Sequence, residues 1–462
     1  MRLTIVNQFY RPDVAPTAQL AASLAEHRAA LGDDVTVITS KGRYVIGPAP
    51  RETPRDTAAA GEIARDETVP PPAETHDPRR ETRPARPVPR APCVLRVWTP
   101  SLGKSTVPKR LLDYLSFYLG TLRRLALLRR QDVIVSMTTP PYIALAALAH
   151  KLLHPRTKLV LWNMDCYPDA AERAGMLRRG GLPSRILRAL NRFLFRRVDL
   201  LVGLDTAMID LLTSQYSPSP THPPAEIVPN WEDLAFFPRD VQSPPWPEAE
   251  SLGLTDKFVV LYLGNAGTGH AFETALDAAE RLRGEPVVFL FVGGGSRSAS
   301  IREAKEQRHL DNVLLREYVP KELTPSVMKA AGCALITLRD EALGVMSPSK
   351  LHSNLAMGLP VLYIGPERSN VDDALRRFAC GVSLRHGDVT GAVAFIRTLA
   401  SDPAARQTMR QRARAAFEQA YCDVRTLPQF DRLLDTLRNP TLQTAPARRE
   451  TPAEPRTTTA AP

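Results

Sequence analysis

Three short stretches in the second half of the chain carry residue types suited to holding an anion. Gly264-Asn265-Ala266-Gly267 follows the apolar run FVVLYL and precedes a helical stretch starting near Glu273. Glycine there lets the backbone approach a ligand closely, and a helix N-terminus favours negative charge. An ordinary strand-to-helix turn has the same spacing. Gly293-Gly294-Gly295 follows a second run, VVFLFV, and reads equally well as a ligand loop or a tight turn. Two such loops at one sheet edge argue more strongly than either alone. The third stretch is Ser347-Pro348-Ser349-Lys350, leading into a helix that ends at Gly358-Leu359-Pro360. Ser347 or Ser349 suits the cap and Pro348 the first turn. Lys350 then sits where a cation opposes the helix dipole, a placement that a bound anion would account for. A solvated surface lysine is the plainer alternative.

The first half offers loops at the ends of its own apolar runs: Asn7 to Pro16, containing Tyr10 and followed by Thr17; Thr138-Thr139-Pro140-Pro141; and Trp162-Asn163-Met164-Asp165. Among these, Asp165 is the carboxylate placed directly at a strand end, suited to catalysis and equally to capping the next turn.

These loops need strands and helices to aim them. RLTIV, a helix over 17–31 and VTVIT make a βαβ unit, which implies a parallel sheet. The alternation resumes at CVLRVW and continues through DVIVSM, KLVLW and 200–203. After a Pro-rich linker it restarts at FVVLYL, VVFLFV, 313–315, 334–338 and 360–364. The expectation is an α/β protein of two Rossmann-like domains facing a cleft, residues 1–238 and 257–438 joined by a linker at 239–256. Ligands of such sheets bind at the carboxyl ends of the strands. Residues from about 45 to 92 hold eleven prolines and little apolar periodicity, and the tail 439–462 is rich in Thr, Ala, Pro and Arg. Both read as disordered.

With 44% apolar and 24% charged residues, the 462-residue chain is neither wholly disordered nor membrane-embedded. Sixty basic against 49 acidic residues leave a formal charge of +11, which suits an anionic partner: nucleotide, nucleic acid or lipid. No nucleic-acid motif accompanies it, so nucleic acid is not expected as a partner. Five scattered cysteines, never at C-x-x-C spacing, suit reduced thiols in the cytosol and no Cys-based zinc site. No signal peptide or spanning helix is evident. The stretch RLLDYLSFYLGTLRRLALLRR, within Lys104–Arg130, mixes Leu, Tyr and Phe with arginines. It reads either as a core helix with a solvated basic end or as a helix lying on an anionic membrane surface.

Taken together, IVNQFYRPDVAPTAQLAASLAEH, MDCYPDAAERAGML, IVPNWEDLAFFP, YLGNAGTGHAFETALDAAERL, FVGGG and SPSKLHSNLAMGLPVLYIG resemble the bacterial GT-B glycosyltransferases of family 4, in particular the cell-surface polysaccharide subgroup of colanic acid and O-antigen type. That resemblance implies transfer of a sugar with retention from a nucleotide-sugar, UDP- or GDP-linked, with no cofactor and no essential metal. It implies a donor site on the second domain made of Gly264, Asn265, Gly267, His270, Gly293, Gly294, Gly295, Ser349, Lys350 and Ser353. The acceptor, a polyprenyl-linked sugar or glycan, would lie on the first domain near Tyr10, Thr17, Thr139, Trp162 and the catalytic Asp165. It further implies a cytoplasmic protein peripheral on the inner face of the cytoplasmic membrane. Many members carry an Arg and a Lys where this chain has Asn265 and His270, and a Glu-x7-Glu pair where it has Val345 and Ser353. Lys350 is then the candidate to supply the missing charge. The competing readings are an inactive scaffold of the same fold and a non-hydrolysing sugar-nucleotide epimerase.

Overall fold

The computed structural model describes residues 1–13, 15–41, 90–100, 102, 107–217, 223–239 and 244–439. Residues 42–89 and 440–462, on which the two disorder expectations largely fall, lie outside the described residues, as does Lys104.

Two fully parallel sheets form, one in each half. The first has seven strands: β1 (Arg2–Val6), β2 (Asp34–Ser40), β3 (Cys93–Val97), β4 (Val133–Met137), β5 (Lys158–Trp162), β6 (Leu200–Gly203) and β7 (Ala225–Ile227). Their spatial order is β3-β2-β1-β4-β5-β6-β7. The second has six: β8 (Phe258–Leu263), β9 (Val287–Val292), β10 (Val313–Arg316), β11 (Cys333–Thr337), β12 (Val361–Ile364) and β13 (Gly381–Leu384), in the order β10-β9-β8-β11-β12-β13. Both are doubly wound: the order reverses direction beside the first strand, opening a crevice at the carboxyl ends of the strands. The central strands are unbroken apolar runs, VIVSM, FVVLYL and VVFLFV, because helices cover both faces of the sheets.

Right-handed crossovers put α1 (Pro16–Ala30) on one face of the first sheet. They put α2 (Val107–Leu127), α3 (Ala144–Leu153) and α5 (Leu182–Phe195) together on the other. The short α4 (Asp169–Arg173) lies in the connection before α5, and α6 (Thr206–Tyr216) follows β6. In the second half α7 (Glu273–Arg281), α8 (Ser298–Gln307), α9 (Thr324–Lys329), α10 (Lys350–Ala356), α11 (Asn370–Phe378), α12 (Val389–Ser401) and α13 (Pro403–Ala416) fill the same roles.

The last helix, α14 (Asp423–Arg438), departs from the expected division at 257–438. It crosses back and packs on α1 of the first half. The buried Arg28 guanidinium donates to Asp33 at 2.6 Å, Asp431 at 2.9 Å and Asp435 at 3.0 Å. Phe430 meets Trp162 and Trp231 edge-on at ring distances of 4.5 and 6.0 Å. A buried cation needs such partners, because it is costly once desolvated alone.

Candidate active site

The two glycine loops are built against each other. Gly264, Gly293 and Gly295 have φ of +115°, +134° and +130°, a region that side chains disfavour. A Cβ on Gly293 would lie 2.3 Å from Gly264 O, and one on Gly295 would lie 2.5 Å from Ala266 O. Part of the glycine signal is therefore packing between the loops. Several amides are used there too: Gly264 N–H donates to Val292 O, Ala266 N–H to Gly294 O and Gly293 N–H to Arg316 O. Beside the loops a cleft at the ends of β8, β9 and β10 is lined by Tyr262, Ala266, Gly294, Arg302 and Arg316.

Lys350 is the first residue of α10 and crosses to the first glycine loop. Its Nζ donates to Asn265 O at 3.1 Å, lies 3.5 Å from His270 Nε2 and stands 5.0 Å above the Tyr262 ring. Gly264 is tight for the same reason, since a Cβ there would meet Lys350 Cε at 3.3 Å. Burial lowers the Lys350 pKa to about 8. His270 is buried, and its Nδ1 lies 2.6 Å from Thr337 O. A carbonyl only accepts, so the ring proton sits on Nδ1 and Nε2 offers a lone pair to Lys350. Burial and the Lys350 charge drive the His270 pKa down to about 3. His270 is thus a neutral support for the lysine and not a second cation.

Two details of the third stretch differ from expectation. Ser349 precedes α10 with helical backbone angles and makes no side-chain cap, and α10 has only seven residues. Instead Ser347 hydrogen-bonds to the buried Asp205, the N-cap of α6 in the other half. Ser353 Oγ donates back to Lys350 O at 3.3 Å, within the helix. Asn265 is exposed at the mouth, and Gly267 meets nothing closer than the Asn265 amide.

On the facing side, Thr138 Oγ1 accepts from the amides of Met164 and Asp165 at 3.0 and 3.2 Å, joining the loops after β4 and β5. The half-buried Asp165 lines a small cavity with Thr138, Pro141, Tyr142, Asn163 and Tyr167. The next residue, Cys166, donates through its amide to Val345 O at 3.1 Å, which sets Asp165 at the border of the two halves. Thr139 is half-buried, its carbonyl accepting from Gln8 N–H at 2.9 Å. Thr17 is half-buried at the start of α1, its carbonyl accepting from Asn7 Nδ2.

Two acceptor-side expectations need correction. Trp162 is fully buried, stacked on Trp231 at 5.5 Å, so its ring is core and does not face the cleft. Being the last residue of β5, it falls on the face of the pleat turned inward. Tyr10 is likewise packed into the first domain's core, and burial pushes its phenol up to about 12.

Sequence reasoning missed the contacts across the cleft. Arg173 Nη1 donates to Glu341 O at 2.7 Å and Leu343 O at 2.9 Å, and Cys166 Sγ to Gly344 O at 3.2 Å. Val345, where the family resemblance led to the expectation of a glutamate, is buried in this contact. Among the described residues no cluster of His, Cys, Asp or Glu is arranged to hold a metal ion.

A two-domain α/β fold with its loops converging on one cleft defines the GT-B class. The family comparisons agree. Residues 17–231 match the family described as glycosyl transferase 4-like domain, and residues 246–416 match glycosyl transferases group 1. The chain belongs to the family 4 GT-B glycosyltransferases. It is 26% identical over 364 residues to the putative colanic acid biosynthesis glycosyl transferase WcaI of Escherichia coli K12, spanning 78% of this chain and 82% of that one. It is 27% identical over 256 residues to the probable glycosyltransferase WbjE of Pseudomonas aeruginosa, spanning 53% and 61%. The fold also matches the solved structure of WaaG, a glycosyltransferase involved in lipopolysaccharide biosynthesis, with TM-score 0.61, 15% identity and coverage of 94% and 99%. Anabaena HepE in complex with UDP and glucose matches with TM-score 0.63, 13% identity and coverage of 94% and 100%.

Proposed function

We propose that this glycosyltransferase moves a sugar, with retention, from a UDP- or GDP-linked donor to a polyprenyl-linked or glycan acceptor during cell-surface polysaccharide synthesis. The observation that carries the reading is the meeting of Lys350 with the first glycine loop, against which the second loop is packed, beside the cleft. A cation held there by Asn265 O, His270 and the Tyr262 ring suits the donor's diphosphate, whose negative charge grows as the sugar bond breaks. The amides of Gly264, Ala266 and Gly293 are already engaged, so Lys350 carries most of that task. Asp165 faces the cleft from the other half and is the group proposed to handle the acceptor hydroxyl. The colanic acid and lipopolysaccharide roles of two similar proteins, WcaI and WaaG, and the UDP bound by HepE support the substrate class. The lipid-carried acceptor in turn places the enzyme at the inner face of the cytoplasmic membrane.

Calorimetry of the full chain with UDP, GDP and their sugar derivatives tests the reading. Binding of one nucleotide series, weakened in Lys350→Ala, is expected. A folded chain that binds none of them is a scaffold, a reading that Val345 and Ser353 at the two glutamate positions would then favour.

A further inference from the structure

The exposed side of α2 is apolar along its length. Leu111, Leu115 and Leu119 are 59, 55 and 60% exposed, and Leu112 and Leu122 continue the stripe. The spacing i, i+4, i+8, i+11 keeps these leucines on one face, while Phe117 and Leu125 turn into the core. The β3–α2 connection exposes Trp98 by 67%. The helix packs on the first sheet through Gly120, where a Cβ would overlap Val97, so this stripe is its outward face. Soluble proteins rarely leave such a run of leucines uncovered.

The charges around it are mostly basic. Lys109, Arg123, Arg124 and Arg129 flank the stripe, and Arg130 beyond them pairs with Asp132 at 3.3 Å. The single carboxylate of α2, Asp113, is half-buried and accepts from the Leu102 amide. In the same helical layer, α5 has no acidic residue and exposes Leu182, Ile186 and Phe193 among Arg185, Arg192 and Arg196.

We infer that the α2–α5 face of the first domain is an interfacial membrane-docking surface, with the α2 leucines and Trp98 entering the headgroup region of an anionic bilayer and the arginines meeting lipid phosphates. This rests on the proposed lipid-carried acceptor and specifies how the enzyme reaches it. No helix among the described residues is long and apolar enough to cross a membrane, so α2 lies in the plane of the surface. Charge complementarity selects the occupant. A second copy packed on this face would set arginines against arginines with too few carboxylates to pair them, since Asp113 accepts from the Leu102 amide and Asp132 already holds Arg130. A bilayer bearing anionic lipid satisfies both the apolar stripe and its basic rim.

Trp98 provides the readout, because Trp162, Trp231 and Trp246 are all buried. The full chain is floated with phosphatidylcholine vesicles, with and without phosphatidylglycerol, at low salt and at about 1 M salt, where the Debye length falls to about 3 Å. Capture by the anionic vesicles at low salt is expected, with a fraction that survives high salt and a blue shift of emission absent in Trp98→Phe. Leu115→Ser with Leu119→Ser lowers the partition coefficient about tenfold or more and removes the salt-resistant fraction. Arg123→Glu with Arg124→Glu removes most low-salt capture. These residues are exposed, and circular dichroism confirms that the variants fold. The inference is overturned if anionic vesicles capture nothing at low salt, if the leucine variant binds as the parent does, or if the emission shift appears without vesicles as the chain dimerises. Calorimetry with nucleotide on the same variants separates the two readings: lost capture with retained nucleotide binding assigns the effect to docking alone.

Discussion

Lys350 Nζ lies 3.5 Å from His270 Nε2, while Nδ1 of the same ring is held 2.6 Å from Thr337 O. The pair therefore carries one charge, on the lysine, and the ring stays neutral because its pKa falls to about 3. With the Lys350 pKa near 8, that charge is lost just above neutral pH.

The first prediction follows from that value. A bound diphosphate raises the lysine pKa, so binding above pH 8 must take up a proton. Nucleotide affinity should weaken as pH rises from about 7 to about 9.5, a window in which the diphosphate itself stays ionised. Lys350→Ala should raise the dissociation constant about tenfold at neutral pH and flatten the profile. Calorimetry across the range measures both. The free protein should show the opposite slope: a lysine whose pKa is lowered on folding destabilises below about pH 8, and that cost fades toward pH 10.5. A steep profile in Lys350→Ala would assign the titration to another group.

The glycine loops separate into two kinds of position. Gly293→Ala should destabilise by about 3 kcal/mol, because its φ is +134° and the new Cβ would sit 2.3 Å from Gly264 O. Nucleotide binding should fall with it, since both loops must shift. Gly267→Ala meets only the swinging Asn265 amide, at 3.2 Å, and should leave the melting temperature nearly unchanged. Thermal unfolding of both variants distinguishes packing glycines from merely small ones.

That difference shows what the sequence could reveal. The runs FVVLYL and VVFLFV, each followed by glycines, announce strands of a parallel sheet with glycine loops at their ends, and the folded protein has both there. Position along the chain does not report which amides the loops spend on each other, since that depends on the pairing of β8 with β9. Trp162 misleads because a strand's final residue can turn to either face, and here the returning α14 supplies Phe430 to cover it. The destination of α14 is hidden for the same reason. Its amphipathic pattern requires a partner, but only the tertiary fold identifies Arg28 and α1 as that partner. Leu115 and Leu119 read equally well as core or surface until Phe117 and Leu125 are seen to fill the core side.

Glu232 marks the crossover between the halves. Its amide donates to Tyr421 O at 3.1 Å, and Asp423 N–H donates to its carbonyl at 3.0 Å. Burial pushes its carboxyl from the usual 4.5 up to about 7, with Lys321 opposing the rise. A carboxyl whose pKa is raised on folding costs nothing below its unfolded value, and the cost grows as pH rises from 4.5 through 7. Glu232→Gln should therefore leave stability unchanged near pH 4.5. It should raise the melting temperature above pH 7 by about 2–4 °C for each kcal/mol relieved. Scanning calorimetry at the two pH values checks this, and an equal effect at both would show that the carboxyl does not titrate in the fold.

The contact that closes the floor of the cleft gives the last prediction. Arg173 Nη1 donates to the carbonyls of Glu341 and Leu343, and the Cys166 amide and thiol hold the carbonyls of Val345 and Gly344. Gly344 has φ +76°, and a Cβ there would lie 2.7 Å from Ala207 O of the opposite half. The loop that leads to Lys350 is thus pinned to the half that carries Asp165, fixing the gap between the proposed donor and acceptor groups. The Arg173 bonds are exposed to solvent, so their loss should cost only about 1 kcal/mol of stability. A small loss of that kind is enough to favour an open cleft without unfolding either half. Arg173→Ala should enlarge the radius of gyration in solution scattering and lower kcat, while nucleotide affinity, set on the proposed reading by the second half, stays near that of the parent. Gly344→Ala should produce the same phenotype more strongly. Unchanged scattering together with weakened nucleotide binding would refute this account, because it would make Arg173 a support of the donor loops and not of the gap between the halves.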